Sequence, residues 1–229
     1  GKAGPRVIGI NGINNSYDEA LSNLEYSKSF APTVDHEWVY NNSHGPVIDI
    51  AEVFALNYNG ISPNTANLLQ ESVARFDQDN RDFPNQKCLI KCHSQGAAHV
   101  RNALEQMPEH LRQRMIVIAI APAVVVPDDL CYKAYNYACK SDIVPRGEVC
   151  AAAVKDFLSG LAPEMDQIPG MPEPWSRTKE VIENREQLIM LEPDPECKES
   201  VHSFRHPMYA TPVRDITNDY LKKNGEYNE

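Results

Sequence analysis

Long apolar runs are missing from this 229-residue chain. No stretch approaches the roughly 18–20 consecutive apolar residues that a membrane-spanning helix needs, so no integral span is expected. No secretory signal is expected from Gly1–Arg6, which leads straight into a strand-like segment. Basic residues are in deficit: 22 Lys and Arg stand against 32 Asp and Glu, a formal net charge of −10. Nucleic acid and anionic membrane surfaces reward clustered Lys and Arg, so neither is expected as the main partner. Paired CxxC motifs with zinc spacing are also missing, although six cysteines occur at Cys88, Cys92, Cys131, Cys139, Cys150 and Cys197. Several of these sit in apolar, strand-like runs, where a free Cys acts as a small hydrophobe. That usage points to free thiols in a reducing setting, either the cytoplasm or a reducing host compartment reached by secretion.

The remainder is ordinary globular composition, 42% hydrophobic and 24% charged. A chain of this length supports one α/β domain with a substantial core, and neither an internal repeat nor a linker divides residues 1–229. Arg6–Ile10 reads as a strand ending in the turn-rich Asn11-Gly12-Ile13-Asn14-Asn15. Ser16-Tyr-Asp-Glu19 has the form of a capping box opening a helix to about Phe30. Glu37–Tyr40 predicts a second strand. Pro46 suits the first turn of a helix carrying Val47, Ile50 and Phe54. Ser62-Pro63 opens another helix, with Leu68, Leu69, Val73 and Phe76 expected on one face. Lys87–Cys92 predicts a strand, Ala97–Met107 a helix ended by Pro108, and Arg114–Ala121 a strand buried on both faces. Strands follow at Tyr132–Ala138 and Gln187–Leu191, with a final helix from about Pro207 to Lys222. Alternating elements of this kind imply a doubly wound, mostly parallel sheet of about six strands with helices on both faces.

In such sheets the chemistry sits on loops at the carboxyl ends of the strands. Cys92-His-Ser-Gln-Gly96 is a strand–turn–helix junction that lifts the Ser94 hydroxyl out of the sheet beside a helix N-terminus. Gly96, Ala97 and Ala98 supply the small residues that such a turn demands, while Cys92 holds the first position of G-x-S-x-G in place of glycine. A Ser capping the helix is the plainer reading of Ser94. A neutral hydroxyl needs a base to remove its proton and a carboxylate to orient that base. Asp142 follows the fifth strand, ahead of its rivals Asp128 and Asp129, which suit a helix start, and Asp156, which falls within a helical segment. For the base, the loop after the sixth strand offers His202, with His206 as the alternative. Backbone N–H groups for an oxyanion hole are expected from Gln95 and from Gly12 or Ile13, although turn formation accounts for that Asn- and Gly-rich loop equally well.

Taken together, Cys92-His-Ser-Gln-Gly96, Ser141-Asp-Ile-Val-Pro145 and His202-Ser-Phe…Pro-x-Tyr209 resemble the lipase- and esterase-like branch of the α/β-hydrolase superfamily. More narrowly, Asn11-Gly-Ile-Asn, Tyr40-Asn-Asn-Ser-His-Gly45, Cys92–Ala97 with Val100-Arg-Asn-Ala103, and Ala119-Ile-Ala-Pro122 are similar to a family of uncharacterised proteins from Chlamydia-like intracellular bacteria. The resemblance runs from about Arg6 to Tyr220. It implies an α/β-hydrolase-like fold and a triad of Ser94, Asp142 and His202, and it names no substrate. Related sequences often carry an acidic residue before that His, where this chain has Val201.

The expected activity is therefore that of a serine hydrolase acting on a carboxylic ester or thioester through an acyl-enzyme, with no metal or organic cofactor required. Two rivals stand beside it. One is a non-catalytic binding module on the same scaffold. The other is a peptidase using Cys92, whose position before the turn points it into the sheet. Residues 148–185 carry Phe157, Leu158, Leu161, Met165 and Trp175 in a Pro-rich context, which suggests an acyl-binding lid or, more simply, packing against the sheet.

Overall fold

Val, Ile and Cys dominate the short runs that become strands, and Gly, Asn and Pro punctuate the connections between them. A computed structural model describes residues 2–12, 16–41, 64–142 and 184–224. Its strands are β1 (Arg6–Ile10), β2 (Asp35–Val39), β3 (Cys88–His93), β4 (Met115–Ile120), β5 (Lys133–Cys139) and β6 (Leu188–Leu191). All pair in parallel, in the spatial order β2-β1-β3-β4-β5-β6. Strands β1, β3 and β4 are buried at every position, as a parallel strand covered on both faces must be. The edge strand β2 is buried only at Val39.

The helices are α1 (Tyr17–Lys28), α2 (Asn64–Asp79), α3 (Gln95–Gln106), the single turn α4 (Glu109–Arg112) and α5 (Ala210–Lys223). Side chains alternate across each strand, which divides the interior into two cores. Ile8, Ile10, Ile90, Cys92, Val117 and Ala119 pack against Leu69, Val73 and Phe76 of α2 and Val100 and Leu104 of α3. On the opposite face Val7, Leu89, Ile116, Ile118 and Ile120 pack against Val213 and Tyr220 of α5 and Tyr26 of α1. Each large aliphatic or aromatic side chain so buried contributes roughly 1.5–3 kcal/mol. The doubly wound α/β fold expected from the alternation of elements is the one observed.

Local signals fare well where they have a mechanism. The capping box is formed: the Glu19 N–H donates to Ser16 Oγ (3.2 Å) and the Ser16 N–H donates to Glu19 Oε2 (2.6 Å). The helix closes at Lys28 with Ser29 as its C-cap, slightly short of Phe30. In α2 the expected face needs one correction. Ala66, Leu69, Val73 and Phe76 form the buried ladder, whereas Leu68 is 46% exposed because adjacent helical residues point about 100° apart. The last helix begins with a 3₁₀ turn at Pro207–Tyr209 before α5 proper. The Tyr220 hydroxyl of α5 donates to the Lys87 carbonyl (2.7 Å) and accepts from the Arg6 N–H (3.1 Å), tying the helix to the amino ends of β1 and β3.

Helix α1 lies on one face and α2 and α3 on the other, so β1 and β3 send their following chain in opposite directions. Their carboxyl ends form the topological switch point, where such sheets open a crevice. Ile10 pairs with Cys92, so Asn11-Gly12 and His93-Ser94 leave the sheet side by side. The helix expected from Pro46 and the segment 148–183 lie outside the described residues, as does Asp156. Among the described residues no helix is long and apolar enough to cross a membrane. Cys88, Cys92, Cys131, Cys139 and Cys197 are free thiols.

Candidate active site

Ser94 occupies the turn between β3 and α3 with φ 55° and ψ −121°, a left-handed conformation that L-residues rarely adopt. Holding it costs on the order of 1–3 kcal/mol, which the surrounding bonds must offset. Its N–H donates to the Ile120 carbonyl (3.1 Å), and its own carbonyl accepts from Ala97 N (3.1 Å) and Ala123 N (3.0 Å). The turn is therefore pinned to β4 and to the first turn of α3. Ser94 makes no side-chain capping bond to the helix it precedes, which sets aside the plainer capping reading.

Two glycines make room for this turn. A Cβ on Gly12 would lie 2.8 Å from Ser94 Cβ, and one on Gly96 would lie 3.0 Å from the carbonyl oxygens of Ile10 and Asn11. Cys92, in the first position of the elbow, points into the α2–α3 core with its Sγ 3.7 Å from the Ile118 carbonyl. Burial pushes its thiol up, away from the thiolate that a Cys nucleophile needs.

The three residues singled out in the sequence meet at this rim. His202 Nε2 lies 2.9 Å from Ser94 Oγ, and His202 Nδ1 lies 2.7 Å from Asp142 Oδ2. Asp142 follows β5 directly, its N–H donating to the Cys139 carbonyl (3.0 Å). Its side chain is 2% exposed while that of His202 is 28% exposed, so the carboxylate is buried behind a partly exposed imidazole. A carboxylate accepting at Nδ1 fixes the Nδ1–H tautomer and leaves the Nε2 lone pair toward the hydroxyl.

The alternatives are engaged elsewhere. His206 is buried, and its Nδ1 accepts from the Met208 N–H (3.2 Å), capping the 3₁₀ turn. Asp128 accepts from the Ala134 N–H (2.8 Å) and pairs with Lys133 (3.2 Å) at the start of a 3₁₀ turn that also holds Asp129.

Of the groups expected for an oxyanion hole, Gln95 is the first residue of α3 and Gly12 lies against Ser94. Ile13 lies outside the described residues. Reading the sequence missed how this corner is braced. Asn41, just past β2, donates from Nδ2 to Gln95 Oε1 (2.6 Å), and its backbone N–H donates to Asn11 Oδ1 (2.8 Å). Asn11 Nδ2 donates to the carbonyls of Asn41 and Gly12, each at 2.9 Å. The only signal in the sequence was a polar residue within two positions of the end of each of three strands.

Comparison with known proteins gives a likeness in structure alone. No protein-family model matches the sequence, and no curated protein is significantly similar to it. Among solved structures, an acetyl xylan esterase is 13% identical with a TM-score of 0.47, the match covering 98% of this chain and 99% of that one. A cutinase-like protein from Cryptococcus sp. is 11% identical with a TM-score of 0.43, covering 96% and 94%. The LpqC poly(3-hydroxybutyrate) depolymerase from Bordetella parapertussis is 15% identical with a TM-score of 0.42, covering 84% of this chain and 73% of that one.

Proposed function

We propose that the protein is a serine hydrolase that cleaves a carboxylic ester or thioester through an acyl-enzyme intermediate. The reading rests above all on the continuous Ser94–His202–Asp142 relay, at 2.9 and 2.7 Å, on a strained strand-to-helix turn. Ser94 Oγ attacks the acyl carbon as its proton passes to His202 Nε2, with Asp142 accepting from Nδ1–H and stabilising the imidazolium that forms. The backbone N–H of Gln95, with that of Gly12 or Ile13, receives the charge that develops on the carbonyl oxygen. His202 then returns the proton to the departing oxygen or sulfur, leaving an acyl-Ser94. A water molecule, deprotonated by the same imidazole, attacks that ester and releases the acid. Esters and thioesters are favoured over amides because their leaving groups depart with less protonation. The narrower resemblance to proteins of Chlamydia-like bacteria belongs to this proposal and assigns no substrate.

A fluorophosphonate probe tests the reading, since it reacts only with an activated serine. The wild-type protein is expected to take up one label, and Ser94→Ala to take up none while keeping its circular dichroism. Hydrolysis of p-nitrophenyl acetate should fall by about 10⁴–10⁶ in kcat in the same variant. A folded wild type that takes no label would leave the binding module as the better description. With labelling established, acyl esters of increasing chain length would identify the substrate class.

A further inference from the structure

His93 takes no part in the proton path proposed above, yet it touches both sides of that path. It is the last residue of β3 and is bonded covalently to Ser94. Its Nε2 lies 2.5 Å from the backbone carbonyl oxygen of His202. A carbonyl only accepts, so Nε2 must carry the proton and Nδ1 the lone pair. Nδ1 is buried, has no partner among the described residues and faces Gly12, where a Cβ would lie 3.1 Å from it. Burial, and secondarily the neighbouring His202, lower the ring pKa to about 4, which keeps it a neutral donor at neutral pH.

Among the described residues, the loop that carries His202 is tied to the body of the fold through its own side chain, at Asp142 (2.7 Å), and through Arg205, whose Nη1 donates to Ser22 Oγ (2.9 Å). The bonds from His202 N to Ser200 Oγ (3.2 Å) and from Ser203 N to the Ser200 carbonyl (2.9 Å) are internal to the loop. Phe204 anchors it by packing against Tyr26 and Trp38, at ring separations of 5.8 and 6.0 Å. Two polar tethers then hold successive carbonyls: the Tyr209 hydroxyl donates to Val201 O (3.3 Å), and His93 Nε2–H donates to His202 O.

We propose that His93 is a positioning residue that sets the base against the nucleophile. It fastens the His202 main chain to the strand end that carries Ser94. Nucleophile and base then share one reference point, and a movement of the end of β3 carries both. The neutrality of His93 is part of the device. The two imidazoles are 5.1 Å apart, and a second cation there would oppose the charge that His202 must take from Ser94. The proposal rests on the assignment of Ser94 and His202 made above.

His93→Phe keeps a planar ring and removes the donor, whereas His93→Gln keeps an N–H near the position of Nε2. With p-nitrophenyl acetate at pH 8, His93→Phe is expected to lose about 10–100-fold in kcat with KM changed less than about 2-fold, as for a base displaced by a fraction of an ångström. Hydrogen exchange across residues 197–206 should rise in the same variant. His93→Gln should recover kcat to within about 3-fold of wild type and restore the protection. Should His93→Phe not fold, His93→Asn, whose shorter amide does not reach the carbonyl, takes its place.

Wild-type kcat and wild-type exchange in the donor-less variant would overturn the proposal. So would a His93→Gln variant as slow as His93→Phe despite restored protection. A wild-type protein that neither turns over ester nor takes the probe would sink the Ser94 assignment instead. The exchange comparison would then still decide whether the tether exists.

Discussion

Lys91 is fully buried in the middle of β3, and its side-chain nitrogen has no hydrogen-bond partner among the described residues. It lies on the α1–α5 face, 5.2 Å from the centre of the Phe30 ring. His36, a titratable neighbour whose own pKa is lowered by burial first and by Lys91 among lesser causes, sits on β2, on the far side of β1 from Lys91. Burial alone lowers the Lys91 pKa from 10.5 to about 7. At 1.36 kcal/mol per pH unit, the charged form costs the folded state roughly 4–5 kcal/mol. The sign follows from proton counts. Below pH 7 the amine is protonated in folded and unfolded chains alike, so the cost is full and independent of pH. Between pH 7 and 10.5 the unfolded chain binds the proton and the folded chain does not, so stability rises with pH. The cleanest window is pH 7 to 8.5, because His36 titrates below it and unfolded cysteines ionise around 9.0, where the raised thiols of Cys88 and Cys131 begin to pull the other way.

Over that window Lys91 should contribute roughly 1.5–2 kcal/mol of added stability. Lys91→Met, which retains the aliphatic stem, should be more stable than wild type at pH 7 by roughly 2–4 kcal/mol and lack this rise. Urea unfolding followed by circular dichroism, at constant ionic strength and with reductant present, measures both curves. Contributions from groups common to the two proteins, the lowered Lys87 included, cancel in the difference. Parallel curves for wild type and Lys91→Met would refute an unpaired buried ammonium.

Three further outcomes are expected. Gly12→Ala places a Cβ 2.8 Å from Ser94 Cβ, so it should cost about 1–3 kcal/mol in stability and abolish most probe labelling, measured by thermal melts and labelling rate. Asn41→Ala removes the side-chain donor to Gln95 Oε1 while the backbone N–H to Asn11 Oδ1 is kept, so kcat for a short ester should fall about tenfold while Ser94 still labels to completion. His99 is buried with neither ring nitrogen partnered among the described residues, and burial lowers its pKa to about 4 from 6.5. Its neutral form therefore gives stability that is present above pH 6.5 and lost as pH falls toward 4, at about 1.4 kcal/mol per pH unit, and His99→Leu should take that amount off the slope of urea stability across the range, leaving the part owed to His93 and His36.

Patterns with a local cause were legible in the sequence. The capping box at Ser16–Glu19, the buried runs of β3 and β4 and the helix stopped before Pro108 follow from hydrogen-bonding capacity, side-chain period and backbone sterics within a few residues. Alternation of such elements was enough for a doubly wound sheet, and that architecture in turn placed Ser94, Asp142 and His202 at strand ends of the same edge. What the sequence could not supply is anything that depends on which distant groups meet. Choosing between His202 and His206 required knowing which imidazole finds a carboxylate and which caps a turn. Leu68 and Leu69 are equivalent by composition and differ only in where the sheet lies relative to α2. The Asn11–Asn41–Gln95 brace joins three strand ends, and His93 became a tether only once the His202 loop folded over it. Lys91 carries the same lesson. Its charge would place it at the surface, but Phe30 and the surrounding strands enclose it, because in a central parallel strand both faces are covered whatever residue stands there.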